Sequence, residues 1–156
     1  MALTPAQLAI LRPIVLAEPT LATARLNADD AAIAAWCNAQ ATPAFTVWKT
    51  SVLLADVVAN VDGVELVGLT AIKLAAYQSL LLAGSVNPSK DRLRAGFDQV
   101  FSSAGGATTR PLLLALWKRT ATRAEKALAT GTGSDAIPAY LTWESTVTTD
   151  DASLLR

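Results

Sequence analysis

A mainly α-helical fold is predicted: a helical bundle around one long helix over about residues 108–130. Three observations predict it. Alanine is abundant, cap-and-proline helix starts recur along the chain, and apolar residues return every three or four positions in most segments. Two stretches break the helical period, a short extended segment near residues 44–50 and a C-terminal β-strand or hairpin arm.

Thr4-Pro5-Ala6-Gln7 reads as a cap, a first-turn proline and a capping-box glutamine. Leu8, Leu11, Val15 and Leu16 form that helix's inner face. Pro13 is expected to bend or split it, because a mid-helix proline loses a hydrogen bond and crowds the previous turn. Glu18-Pro19 ends it, and residues 20–25 add at most a short turn. Asn27, Asp29 or Asp30 caps a second helix over about 29–40, with Ile33, Trp36 and Cys37 on one face. After Pro43, residues Phe45, Thr46, Val47 and Trp48 are strand-prone and alternate, which predicts extension. Residues 53–60 read as a short helix, Asp62-Gly63 as a turn and Val64–Gly68 as a link. Thr70 caps a helix over 71–83 closed by Gly84, and Asn87-Pro88-Ser89 starts another over 88–101.

The long helix follows. Thr108 or Thr109 is its cap, Pro111 suits its first turn, and Gly131 and Gly133 close it. About twenty residues give roughly 30 Å at 1.5 Å per residue. Leu113, Leu116, Trp117, Ala121, Ala124 and Leu128 make its apolar stripe, and Arg119, Arg123 and Lys126 share another face. Beyond Pro138, Tyr140, Thr142 and Glu144 alternate with Leu141, Trp143 and Ser145, a strand signal. Thr149-Asp150-Asp151 caps a last short helix over 150–155. The expected organisation is a helical domain over 1–131 and a C-terminal extension or arm over 132–156.

The totals exclude more than they assign. Thirteen basic and thirteen acidic residues cancel, so no bulk charge drives the 156-residue chain toward nucleic acid. Histidine is absent, which removes the usual proton shuttle and the commonest metal ligand. A single cysteine, Cys37, excludes an internal disulfide, a thiolate zinc site and an iron–sulfur cluster. With no basic neighbour in sequence it reads as a small core residue. Residues 1–17 lack a positive n-region, and Arg12 and Pro13 interrupt their apolar stretch, so no signal peptide is expected. No run of about 18 apolar residues exists, and no membrane partner is expected. Charged residues are 17% and the mean hydropathy is +0.36. Either the 31 alanines raise hydropathy harmlessly, or much of the surface is covered by other subunits.

Candidate chemistry fails on residue type or spacing. Without histidine a Ser–His nucleophile is impossible, and no SxxK motif is present. Asp29-Asp30 and Asp150-Asp151 suit helix N-termini rather than two sides of a cleft. Gly131-Thr132-Gly133-Ser134 follows a helix instead of opening one, which argues against a phosphate cradle. No catalytic residue, cofactor or metal is expected. The Arg119, Arg123 and Lys126 face is a solvated surface, a subunit interface or, less in keeping with the neutral chain, a nucleic-acid contact. Trp48 and Trp143 either seal the core or anchor partners, as buried aromatics do at interfaces. Phe45, Trp48, Arg119, Arg123, Lys126, Tyr140 and Trp143 are therefore the candidate interface residues.

Residues 31–50 (AAIAAWCNAQATPAFTVWKT), continued by Ser51 and Val52, and residues 97–138 carry AIAAW…N, FxVWKTSV, R-x-ATRAEK and ATGTGS-x-xxP in that order. In these segments the chain resembles a family of small structural proteins of tailed bacteriophages. Cys37 departs from the larger aromatic more usual there, which touches no implied function. The resemblance implies a non-enzymatic virion subunit, a head-to-tail adaptor or connector forming a homo-oligomeric ring beneath the portal. It implies portal and tail-completion proteins as neighbours, at most non-specific DNA contact in a channel, and assembly in the host cytoplasm. The alternative is a phage assembly chaperone or small binding module not retained in the virion.

Overall fold

The computed structural model describes residues 2–82 and 84–156. The fold is mainly α. Among the described residues there are ten α-helices and four very short strands. In order they are α1 (Pro5–Ala17), α2 (Ala22–Leu26), α3 (Asp30–Asn38), β1 (Thr46–Trp48), β2 (Val52–Leu53), α4 (Leu54–Ala59), α5 (Gly63–Val67) and α6 (Ala71–Leu80). Then come β3 (Ser85–Val86), α7 (Asp91–Val100), α8 (Thr109–Leu116), β4 (Lys118–Thr120), α9 (Arg123–Leu128) and α10 (Thr149–Ser153). The strands pair two by two, β1 with β4 and β2 with β3, the latter antiparallel with Val52 opposite Val86.

The chain forms two compact units, one of residues 1–47 with 120–156, the other of residues 48–119. The expected division at residue 131 is replaced by this one. In the first unit Leu11, Val15, Ile33, Cys37, Leu128, Trp143, Val147 and Leu155 share one core. In the second, Val57, Tyr77, Phe97, Phe101, Leu113 and Trp117 share another. Its aromatic rings meet edge to face, Tyr77–Phe101 at 5.6 Å and Phe97–Trp117 at 5.2 Å, the arrangement their quadrupoles favour.

Several helix starts form as their sequence requires. Thr4 and Gln7 close a reciprocal capping box on α1, Asp29 caps α3 and Thr70 caps α6. α1 continues through Pro13 without splitting. The expected link at 64–68 is the short helix α5, because Asp62 accepts hydrogen bonds from the Val64 and Glu65 amides. The expected last residue of the helix over 71–83, position 83, lies outside the described residues, and α6 itself ends at Leu80.

The long helix over 108–130 is not formed. α8 stops at Leu116, residues 118–120 pair as β4, and α9 begins at Arg123. The physical cause is local and tertiary together. Thr122 and Glu125 make a capping box that starts a new helix, while the Thr120–Lys118 backbone is taken by β1. Nor does Thr108 cap α8 with its side chain. The Glu65 carboxylate accepts the Thr108 and Thr109 amides instead, both at 2.8 Å. These bonds hold its carboxyl below the usual range, the Thr108 amide foremost.

The C-terminal strand or hairpin arm is absent too. Residues 139–147 build no ladder and make only single bridges, Thr130 with Tyr140 and Val47 with Ala139. The alternation instead reports burial. Ala139, Trp143 and Val147 face inward, while Tyr140, Thr142 and Glu144 face out. The glycine exit does not release an arm. Gly131 (φ +121°) and Gly133 (φ +68°) turn the chain back, so that the Thr130 and Tyr140 amides each donate to the other residue's carbonyl, at 2.9 and 2.8 Å.

Candidate subunit interface

Within the first unit, α1, α3 and α9 enclose a cleft of about 400 Å³ lined by Ile14, Glu18, Trp36, Thr42, Arg123 and Lys126. The capping box at Thr122 fixes the start of α9, so Arg123 and Lys126 stand three residues apart on one side of it. The Arg123 guanidinium lies 4.8 Å from the Trp36 ring centroid and donates to the Trp36 carbonyl at 3.1 Å. The Lys126 ammonium lies 5.8 Å from the Phe45 ring centroid. Opposite them Glu18 accepts from the Thr20 hydroxyl and amide. Those bonds, the hydroxyl first, hold its carboxyl below the usual range, and the Arg123 and Arg25 charges add to the effect.

Of the seven candidate residues, the structure brings Phe45, Arg123 and Lys126 to this one place. Arg119 does not share their helix face, since it lies in β4 of a chain that has left the helix. Trp48 belongs to the second unit, buried, with the Arg94 guanidinium 3.9 Å from its ring centroid. Arg94 also contacts the Pro88 carbonyl and pairs with Asp91 at 2.5 Å. Trp143 is buried in the core of the first unit and seals it, the bland member of the two readings its position left open. Tyr140 is partly exposed. Trp36, read from its spacing as part of a core face, is half-buried and lines the cleft instead. Its partner Arg123 is 87 positions away, so no local signal reports their contact.

Aromatic faces, paired cations and a single carboxylate border an apolar floor, and Tyr, Trp and Arg are the side chains that dominate protein–protein contacts. Among the described residues no group of three His, Cys, Asp or Glu side chains is placed to hold a metal ion. Burial pushes the Cys37 thiol up to about 11, only partly offset by the Arg123 charge, so it is a poor nucleophile at neutral pH. No described helix is long and apolar enough to cross a membrane.

The second unit leaves several large apolar side chains in water. Val64 (83%), Val67 (87%), Ile72 (84%) and Leu82 (86%) are almost fully exposed, although each is a residue type that normally avoids water. α6 and α7 form a groove of about 540 Å³ with Ile72, Ala76, Leu80 and Val100 in its lining. No family model, curated protein or solved structure matches the chain.

Proposed function

We propose that this chain is a non-enzymatic structural subunit whose work is to pack against other protein subunits. The observation that carries this reading is the exposed aliphatic set on the second unit, Val64, Val67, Ile72 and Leu82. Val64 and Val67 stand one turn apart on α5 and Ile72 lines the α6–α7 groove, and apolar exposure of that kind suits a surface that other chains cover. The cleft of Trp36, Arg123 and Lys126 offers the first unit a second recognition surface.

In its finer form the proposal is a head-to-tail adaptor of a tailed bacteriophage, assembling as a homo-oligomeric ring beneath the portal. The residues that support it are the FTVWKTSV and R-x-ATRAEK segments. Portal and tail-completion proteins are then its neighbours, the host cytoplasm its place of assembly and the virion its destination. Mass spectrometry of purified virions, with electron microscopy of the purified protein, tests this. A fixed copy number in particles and closed rings from the protein alone are expected. Absence from finished particles overturns the adaptor assignment, and rings without particle incorporation assign the chain to an assembly chaperone.

A further inference from the structure

The proposed reading requires copies of the chain to join, and the two units differ in a way that says how. The second unit carries eight Lys and Arg against five Asp and Glu, while the first carries five against eight. The neutral chain is therefore split into a unit of net charge +3 and one of −3. Each also leaves apolar side chains exposed. The second unit offers the α6–α7 groove, with Ile72, Ala76, Leu80 and Val100 along it, Gly96 keeping α7 free of a side chain there, and Lys73 at its border. The first offers a helix, α1, on which Ile10 and Ile14 stand one turn apart and are both exposed, at 47% and 41%. An exposed helical ridge seated in an apolar groove is a recurring mode of protein recognition.

We propose that copies join head to tail, the Ile10–Ile14 ridge of one copy entering the α6–α7 groove of the next. Two arguments favour this contact over one of groove with groove. Groove on groove would leave both ridges uncovered and set one net positive unit against another. The head-to-tail contact sets ridge against groove and opposite net charges against each other, which favours encounter and fixes the register. Ile14 also lines the Trp36–Arg123 cleft, so the ridge runs into the recognition surface of the first unit.

The inference rests on the subunit reading above, and mixing two variants separates the fate of one from the other. Ile72→Glu spoils the groove and keeps the ridge. Ile14→Glu spoils the ridge and keeps the groove. Light scattering on the size-exclusion column should give an assembly for the native chain and a monomer for each variant, with unchanged circular-dichroism melts. An equimolar mixture of the two should give a dimer and nothing larger, because one intact ridge and one intact groove remain to meet. Ile72→Gln, which adds no charge, should weaken assembly in the same direction. If the native chain forms rings and either charged variant does so equally, or if the mixture stays monomeric, the contact lies elsewhere while the subunit reading stands. A native chain that is monomeric at every protein concentration overturns both.

Discussion

Asp151 holds the two ends of the chain together. One carboxylate oxygen accepts the Leu3 amide at 2.9 Å, and the other accepts the Thr148 amide at 3.1 Å and hydroxyl at 2.9 Å. Burial alone would raise its pKa, yet the bonds from Leu3 and Thr148 outweigh it and hold the carboxyl below its ordinary value. A depressed folded-state value stabilises the fold above the unfolded value of 3.8 and ceases to do so as pH falls through the folded value. Asp151→Asn should therefore cost about 1–3 kcal/mol near neutral pH, the range for losing buried bonds to a charged acceptor. Urea unfolding at a series of pH values checks this, since native and variant curves should converge on the acid side. Gly133 is constrained at the same scale. Its φ is +68°, and a Cβ there would stand 2.1 Å from the Phe45 ring, so the turn and the aromatic beside Lys126 depend on a missing side chain.

At the scale of elements, the segment from Trp117 to Thr122 decides most. Its apolar spacing continues straight through, with Leu113, Trp117, Ala121, Ala124 and Leu128 all buried. A helical stripe and a helix–strand–helix path thus place the same residues inward, and hydrophobic periodicity alone does not distinguish them. The distinguishing signal is Thr122-Arg123-Ala124-Glu125, a capping box in the middle of the supposed helix. Thr122→Ala should destabilise the protein by about 1 kcal/mol, the usual cost of a lost N-cap, measured by chemical denaturation. Two other ties have no local signature. The Asn38 side chain donates to the Val147 carbonyl at 2.9 Å and accepts its amide at 2.8 Å, across 109 positions. Glu65 caps α8 from more than 40 positions away. Side chains that serve a distant backbone are invisible to a reading that works by windows.

For the molecule as a whole, the C-terminal residues are structure rather than appendage. Trp143, Val147, Ala152 and Leu155 are buried with Leu11, Val15 and Ile33. Full burial of a large apolar side chain contributes about 1.5–3 kcal/mol, so Trp143, Val147 and Leu155 together approach the 5–15 kcal/mol stability of an ordinary domain. Deleting residues 132–156 should unfold the first unit, seen as a loss of helical circular dichroism well beyond the five residues of α10. Retention of the native spectrum would show instead that these residues are an appendage.

The sequence by itself determined the helical class, the capped starts at Thr4 and Thr70 and the extended residues around Val47. Each follows from chemistry within a few residues: a hydroxyl that reaches the next turn's amides, or a period that sorts apolar from polar. It also carried the pairing of Arg123 with Lys126 on one face, because three residues in a helix suffice for it. Only the tertiary structure decided that residues 118–120 leave the helix to pair with β1, that Trp36 rather than Trp143 borders the cleft, and that the two chain ends share a core. Those outcomes depend on pairs such as Leu3 with Asp151, 148 positions apart. The free energy of such a pair exists only once the chain has closed on itself, so no stretch of sequence holds it alone.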